Sequence, residues 1–360
     1  MAHLQADIDV IIIGGGQAAL STAYFLKRKK IPFIILDDQH QAGGSWQHAW
    51  ESLFLFSQNT WSSLSGWLMP TTEQSTPTRN EVIEYLSAYE QRYQFPIIRP
   101  VHVERVESEG KYLEVYAGDR YWRAKAVVSA TGNWSQPFIP ACDGREIFQG
   151  IQLHSAQYRN VELFKNKKVI VVGGGNSGAQ IFAEVSKVAQ AIWVTTTPPQ
   201  FLPDDVDGRT LFLKATERLK AQQESGIIEP DQSVAGLGYI VMIDSVKEAR
   251  DRGVLFSRRP FRSFTNHSVI WSDGSEEQID AVIWCTGFRA ALSHLRSLDI
   301  VEPNNTVAVV GGRSLKVENV WLVGYGEWTG MASATIIGVS RTSRAAVDEI
   351  EAYLANIENV

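Results

Sequence analysis

The stretch VIIIGGGQAALS at Val10–Ser21 runs from an apolar strand directly into a cluster of glycines, and VIVVGGGNSGAQ at Val169–Gln180 repeats it. A single offset superimposes the two stretches, strand on strand and glycine on glycine. Glycines at the turn from a strand to a helix let the backbone bend sharply and let a pyrophosphate approach the helix N-terminus, where free N–H groups favour anionic charge. The sequence therefore predicts two nucleotide-binding elements in one chain.

Each glycine cluster joins the first strand of a β-α-β unit to its helix. The first is followed by a helical pattern over Gln17–Lys30 and a strand at Ile31–Asp37. The second is followed by a helical pattern over Ser177–Ala189 and a strand at Ala191–Thr197. Because the order strand, helix, strand implies parallel sheets, we expect an α/β fold with two Rossmann-like dinucleotide-binding domains.

Other segments carry weaker patterns. Helices are predicted over 78–93, 208–223 and 332–354, an antiparallel pair of strands over 111–118 and 120–132, and buried strands over 281–287 and 319–326. A proline-bearing link, NWSQPFIPACDG, precedes the second glycine cluster and is a candidate domain crossing.

Composition limits the class of protein. The 360 residues are 44% apolar and 21% charged with a net charge of −6, which is typical of a globular protein and gives no general attraction to nucleic acid or an anionic membrane. The two cysteines, Cys142 and Cys285, are far apart, which indicates a reducing compartment and excludes a disulfide framework or a thiolate metal site. No secretory signal or long apolar run is visible, so we expect a cytoplasmic protein without a bound metal.

The first glycine cluster has the pattern of a site for the adenosine half of FAD. Gly14-x-Gly16-x-x-Ala19 is followed by Asp37 at the end of the second strand. A carboxylate at that place accepts a hydrogen bond from a ribose hydroxyl.

The second cluster, Gly173-x-Gly175-x-x-Gly178, differs at the position that matches Asp37, where Thr196 stands between Thr195 and Thr197. An acidic residue there would favour NADH, and an arginine would hold the phosphate of NADPH. Neutral hydroxyls alone predict weak discrimination between the two donors.

A third motif lies before the second cluster. Residues 148–158 read F-x-G-x-x-x-H-x-x-x-Y, with Phe148, Gly150, His154 and Tyr158. Three further motifs are GGSW at 43–46, SATGNW at 129–134 and CTGF at 285–288. Together these motifs resemble the fingerprint of the bacterial flavin-containing monooxygenases, which are class B flavoprotein monooxygenases. They follow the family's order along nearly the whole chain.

The resemblance implies a cycle in which NADPH or NADH reduces FAD, the reduced flavin takes up O2 as a C4a-(hydro)peroxyflavin, and one oxygen atom passes to a small-molecule substrate. Sulfides and amines are the usual substrates of such enzymes. The strict Baeyer–Villiger signature ends its histidine motif in Trp-Pro, which this sequence lacks, so ketone oxidation is expected only as a side activity.

The resemblance also implies site residues. Those expected at FAD are Gly14, Gly16, Gln17, Ala19, Asp37, Gly44, Trp46, Val103, Thr131, Gly132 and Glu327. Those expected at the nicotinamide nucleotide are Gly173, Gly175, Asn176, Ser177, Gly178, Thr195, Thr196 and Thr197. Asn59 or its neighbour Gln58 is expected as an amide near the flavin, and Asn59 is the candidate catalytic residue, although an amide that caps the loop is an equal alternative. His154 is expected to orient the linker and not to act as a base.

By the same resemblance the NAD(P)H-binding domain, residues 160–284, is inserted in a discontinuous FAD-binding domain of residues 1–155 and 285–360. Two alternatives stay open: an NAD(P)H oxidase that releases hydrogen peroxide, and a non-catalytic sensor of FAD and NAD(P). A reductase of disulfides would need a paired dithiol, which is missing. The sequence leaves the oligomeric state open, with a homodimer as one option.

Overall fold

The computed structural model describes residues 3–71, 76–213, 216–217 and 239–358. The chain divides into two compact units. The first unit consists of Met1–Gln47, Ser57–Gln136 and Arg289–Val360, and the second unit consists of His48–Phe56 and Pro137–Phe288. The second unit is thus inserted in the sequence of the first, as the predicted fold class requires.

In chain order the strands are β1 (His3–Ile13), β2 (Phe33–Leu36), β3 (Ile97–Ile98), β4 (Arg105–Glu109), β5 (Tyr112–Ala117), β6 (Arg120–Ser129), β7 (Ile151–His154), β8 (Lys168–Val172), β9 (Gln190–Val194), β10 (Ser257–Arg258), β11 (Ser263–Phe264), β12 (Ser268–Ile270), β13 (Glu276–Gln278), β14 (Ala281–Trp284), β15 (Val309–Val310), β16 (Arg313–Ser314) and β17 (Val320–Leu322). The helices are α1 (Gln17–Arg28), α2 (Arg79–Tyr93), α3 (Asn176–Val185), α4 (Asp244–Asp251) and α5 (Ile336–Glu358).

The first unit is built on a sheet with the order β15-β16-β17-β6-β1-β2-β3. Its centre is parallel: β1 pairs with β2 and β6, and β17 pairs with β6. The hairpin of β4 and β5 joins β6 in antiparallel register. The β-branched residues Val10–Ile13 are almost fully buried, because a parallel strand at the centre of a sheet is covered on both faces.

The second unit is built on a parallel sheet with the order β10-β9-β8-β14-β7, beside a small antiparallel sheet of β11, β12 and β13. Trp193, Phe182 and Phe164 lie in its core. The strand β8, the glycines and α3 repeat the arrangement of β1, the glycines and α1, so both predicted β-α-β units are confirmed.

Most of the other predicted elements are also confirmed, with shifted ends. The helix α2 begins at a capping box in which Thr78 and Glu81 satisfy each other's backbone N–H groups. The closing helix begins at Ile336, later than the predicted 332, after a turn in which Ala332 has a positive φ. Half of the helix predicted over 208–223 lies outside the described residues, and the described half, 208–213 and 216–217, is helical. Among the described residues, none of the helices is both long and apolar enough to span a bilayer.

The predicted boundaries at 155 and 285 differ from those of the structure, which lie at Gln136 and Phe288. The strand β7 belongs to the second unit because it pairs with β14 along its whole length. The short segment His48–Phe56, predicted as part of the first domain, also belongs to the second unit, where Trp50 packs in the core.

Candidate functional site

The glycines of the first cluster serve different purposes. Gly14 has φ +103°, and a Cβ there would lie 2.6 Å from the carbonyl oxygen of Ala130, so only glycine fits between β1 and β6. A Cβ on Gly16, in contrast, would meet nothing closer than the Cα of Gly44 at 4.0 Å. Gly14 is therefore required by packing, whereas Gly16 leaves open space beside the backbone, where a ligand can approach.

The helix α1 begins at that open space. Gly16 provides no side-chain cap, and the first turn holds no acidic residue, so the N–H groups and the positive end of the helix dipole are free for an anion. The side chain of Gln17 accepts from the indole N–H of Trp46 at 3.0 Å and donates to the carbonyl oxygen of Ala334 at 2.8 Å. Ala19 is fully buried against the sheet.

Two more segments of the first unit meet at this helix end. Gly44 has φ +53°, and a Cβ on it would lie 2.7 Å from the Cα of Gly16. A Cβ on Gly324 would lie 2.6 Å from the Cβ of Ala18. The glycines allow the segments to approach, which forms a cradle of backbone around the start of α1.

Asp37 closes one side of the cradle, with its carboxylate against Gly15. It is 2% exposed and receives Nε and Nη2 of Arg99 on Oδ2, at 3.0 and 2.9 Å. Arg99 is held in turn by both carboxylate oxygens of Glu90 at 2.8 Å. Burial raises the pKa of Asp37 and the Arg99 guanidinium opposes that rise. Oδ1 has a long contact of 3.4 Å with the N–H of Gln39.

Sequence reasoning missed Arg99. The position of Arg99 directly after β3 could have indicated its role. The strand β3 pairs in parallel with β2, and the carboxyl ends of parallel strands lie at one edge of a sheet.

Thr131 and Gly132 are held by a buried polar network within the first unit. Thr131 Oγ1 donates to the carbonyl oxygen of Ala291 at 2.7 Å, and the N–H of Ala291 donates to the carbonyl oxygen of Gly132 at 2.9 Å. The hydroxyl of Tyr325 contacts Oγ1 of Thr131 at 2.7 Å and the hydroxyl of Ser129 at 2.5 Å.

One proton arrangement satisfies the whole network. Because Thr131 donates to Ala291, Tyr325 must donate to Thr131, and Ser129 to Tyr325. Nε2 of His294, at 2.9 Å from the hydroxyl of Ser129, then carries the proton. Burial, with His102 nearby, lowers the pKa of His294 to about 4, so this imidazole is neutral at pH 7.

Three of the predicted residues lie apart from these contacts. Val103 is 7% exposed and packs in the core of the first unit. Asn59 is 5% exposed, and its amide donates to the carbonyl oxygen of Pro70. That bond holds the loop, and a role for Asn59 in catalysis stays a prediction. Glu327 is exposed, at the start of the turn that follows Gly326.

In the second cluster, as in the first, some glycines are required by packing and one leaves open space. A Cβ on Gly173, which has φ +136°, would lie 2.2 Å from the carbonyl oxygen of Cys285, and one on Gly178 would lie 2.2 Å from that of Gly173. A Cβ on Gly175 would meet nothing within 4 Å. Gly175 also lacks a side-chain cap, so the start of α3 is a second open cradle for an anion.

Asn176 and the threonines have partly structural roles. The side chain of Asn176 accepts from the N–H of Val241 at 2.8 Å and donates to the carbonyl oxygen of Tyr239 at 3.3 Å. The strand register corrects the predicted match of Thr196 with Asp37: Val194 lies opposite Val172 as Leu36 lies opposite Ile13, so Thr195 is the counterpart of Asp37. Thr195 is 2% exposed and donates to the hydroxyl of Ser257 at 2.8 Å. Ser177 is half-buried in the first turn of α3, and Thr196 and Thr197 are exposed after β9.

The fingerprint motif builds the second unit. A Cβ on Gly150 would lie 2.3 Å from the ring of Phe148. Nδ1 of His154 accepts from the N–H of Ala156 at 3.1 Å, and its ring meets Phe288 edge to face with centroids 4.9 Å apart. Burial lowers the pKa of His154. These contacts hold the ring within the second unit, and a role of His154 in orienting the linker stays a prediction.

Tyr158, the last residue of the motif, is 1% exposed and donates to Glu184 of α3 at 2.9 Å. Within the described residues no cluster of His, Cys, Asp or Glu could hold a metal ion. Both cysteines are free, and burial raises the pKa of each.

Comparisons with known proteins show the family of this chain. The family model described as pyridine nucleotide-disulphide oxidoreductase matches residues 11–234. A flavin-containing monooxygenase from Stenotrophomonas maltophilia is 49% identical, with a TM-score of 0.88 over 97% of this chain and 100% of that chain. An oxidoreductase of Bacillus velezensis, CzcO, described as uncharacterized, is 30% identical over 95% of this chain and 99% of its own length. A cyclohexanone monooxygenase at 16% identity and TM-score 0.72, covering 99% of this chain and 89% of that chain, shares the fold.

The chain belongs to the pyridine nucleotide-disulphide oxidoreductase family, and within it is a flavin-dependent monooxygenase whose cofactors are FAD and NAD(P)H. The residues fit such cofactors, because each unit leaves one glycine and one uncapped helix N-terminus open to a pyrophosphate.

Proposed function

We propose that this enzyme accepts a hydride from NADPH or NADH, with weak discrimination between them, and places one oxygen atom of O2 on a soft nucleophile such as a sulfide or an amine. The second oxygen atom leaves as water. Oxidation of ketones is a side activity in this proposal, because HSAQYRN at 154–160 lacks the Trp-Pro ending.

FAD is assigned to the first unit. Gly16 and the start of α1 receive the pyrophosphate, with Gly44 and Trp46 beside it, and Asp37 accepts from the ribose through Oδ1. Thr131, Gly132 and Glu327 complete the assignment. FAD supplies the electron transfer and the reaction with O2 when it is bound, and the protein's part is to bind, orient and exclude water.

The nicotinamide nucleotide is assigned to the second unit. Gly175, Ser177 and the N–H groups of α3 are assigned to its pyrophosphate, and Thr195, Thr196 and Thr197, which follow β9, are assigned to its adenosine ribose. Gly173 and Gly178 shape the turn, because a Cβ on either would meet backbone, and both stay predicted cofactor-binding residues in this assignment.

One observation carries the proposal: two open glycines, Gly16 and Gly175, each precede an uncapped helix in a chain that is 49% identical to a flavin-containing monooxygenase. The absence of a paired dithiol among the two cysteines argues against transfer of electrons to a disulfide.

The test uses the FAD-loaded enzyme with NADPH, O2 and an aryl methyl sulfide. We expect about one sulfoxide for each NADPH consumed, as the stoichiometry of oxygen transfer requires. Hydrogen peroxide that accounts for all of the NADPH would identify an oxidase instead. A flavin that NADPH and NADH both fail to bleach in the absence of O2 would identify a sensor.

The ratio of kcat/KM for NADPH and NADH tests donor discrimination separately. We expect a ratio below about a thousandfold, which corresponds to about 4 kcal/mol of differential binding. A larger ratio would contradict the interpretation of the three threonines.

A further inference from the structure

An arginine from a distant part of the sequence, Arg259, lies at the loop that follows β9. The strand β10 pairs in parallel with β9, with Ser257 opposite Trp193 and Arg258 opposite Val194. Both strands therefore end at the same edge of the sheet, and Arg259, the residue that follows β10, contacts the loop. Nη1 of Arg259 donates to the carbonyl oxygen of Thr196 at 2.6 Å.

The two strand ends are tied together around this contact. The N–H of Thr195 donates to the carbonyl oxygen of Arg258 at 3.0 Å, and its hydroxyl donates to that of Ser257 at 2.8 Å. Pro260 restricts Arg259 to extended backbone, because the residue before a proline is disfavoured in helical conformation. The position of the guanidinium is thus set by the sheet and by its neighbour in the chain.

The two adjacent arginines differ in their partners. Arg258 is bound to Glu277 at 2.7 Å and stacks on Trp271 at 5.0 Å, so its charge is compensated. Arg259 has no carboxylate partner in the part of the chain that the structure describes, and it is exposed. Its bond to Thr196 uses one N–H, so the other donors of its planar fork are free.

We propose that Arg259 binds the adenosine 2′-phosphate of NADPH and gives the enzyme a modest preference for NADPH over NADH. This proposal rests on the proposed nicotinamide site. The second glycine cluster lies beside the same loop, since a Cβ on Gly174 would lie 3.5 Å from the Cβ of Thr195. A pyrophosphate at α3 therefore brings the ribose to Thr196, where a guanidinium and the Thr197 hydroxyl can bind a phosphate.

Kinetics with both donors test the assignment in wild type and in Arg259→Ala, with Arg258→Ala as the matched control for loss of one positive charge. We expect Arg259→Ala to lower kcat/KM for NADPH about tenfold, as for loss of a charge-assisted hydrogen bond, and to leave the value for NADH within about twofold. Arg258→Ala should leave the ratio between the donors unchanged. An equal fall for both donors in Arg259→Ala, or an unchanged ratio, would overturn the assignment.

Binding of nucleotide fragments gives a second readout. Calorimetry should show that wild type binds 2′,5′-ADP more tightly than 5′-AMP, with an advantage that weakens as salt increases, and Arg259→Ala should bind the two fragments equally. Equal binding in wild type would refute the role of Arg259. If neither NADPH nor NADH reduces the flavin of wild type, the proposed function itself fails, which is a different outcome from a changed ratio.

Discussion

The phenolic oxygen of Tyr325 lies 2.7 Å from Oγ1 and 3.2 Å from the backbone nitrogen of Thr131. One side chain of the C-terminal segment thereby fixes the hydroxyl and the backbone N–H of a residue that follows β6. Because Thr131 and Gly132 are assigned to FAD, the rigidity of that part of the cradle depends on a hydroxyl from a distant part of the sequence.

Tyr325→Phe should weaken the fold and the binding of FAD together. Loss of the hydroxyl leaves the buried Ser129 and the N–H of Thr131 without this partner, at a cost of about 2 kcal/mol in the free energy of unfolding. Denaturant unfolding of the FAD-free protein and fluorescence titration with FAD measure the two effects. Tyr116→Phe, whose hydroxyl binds Glu114 in the β4–β5 hairpin, is the control and should leave FAD affinity unchanged. Equal FAD affinities in wild type and Tyr325→Phe would show that the network does not support the cradle.

Arg99→Met should destabilise the protein at pH 7 by about 3 kcal/mol, because it leaves the buried Asp37 without its cation. The folded-state pKa of Asp37 is already raised, so its ionisation lowers stability as pH rises through that pKa. Without Arg99 the pKa rises further, and the deficit should shrink as pH falls toward 4.5 and Asp37 takes up a proton.

Denaturant unfolding at pH 7 and pH 4.5 measures this deficit. The exposed pair of Arg105 and Glu107 provides the control, since Arg105→Met should cost less than about 1 kcal/mol. A deficit for Arg99→Met that stays constant between the two pH values would contradict the role of Asp37.

The two alanine variants Gly16→Ala and Gly14→Ala should separate binding from folding. Gly16 has φ −84° and open space, so alanine there should change the free energy of unfolding by less than about 0.5 kcal/mol and reduce FAD affinity about tenfold or more. Gly14→Ala meets backbone at 2.6 Å with positive φ and should cost about 2 kcal/mol or more of stability. The assignment of FAD to this cradle would be wrong if Gly16→Ala bound FAD as wild type does.

His294→Gln should reduce the loss of folding stability between pH 7 and pH 4.5. Burial lowers the folded-state pKa of His294 to about 4, so the unfolded chain binds a proton below pH 6.5 that the folded chain does not. Stability is therefore lost as pH falls from 6.5 toward 4, by about 3 kcal/mol for this group. Glutamine keeps a donor for Ser129 and cannot titrate, so unfolding midpoints at pH 7 and pH 4.5 should lie closer together in the variant. An equal loss of stability in both proteins would exclude His294 as the cause.

The glycine clusters could be read from the sequence because their requirements are local. Gly14 and Gly173 sit at strand-to-helix turns with positive φ, and the strands before them are contiguous apolar runs. The order of strands and helices along the chain then implied parallel sheets and two related units. The boundaries between the units could not be predicted from the sequence, because only the pairing of β7 with β14 assigns residues 151–154 to the second unit.

By itself, the sequence determined that this protein has two dinucleotide-binding elements and that they are unlike in the residue after the second strand. Tertiary structure alone decided which polar and charged side chains meet them: Arg99 reaches Asp37 across 62 positions, Arg259 reaches Thr196 across 63, and Tyr325 reaches Thr131 across 194. The physical reason is that parallel pairing brings the carboxyl ends of distant strands to one edge, so the polar groups around a cradle depend on strand order in the sheet and not on neighbours in the chain.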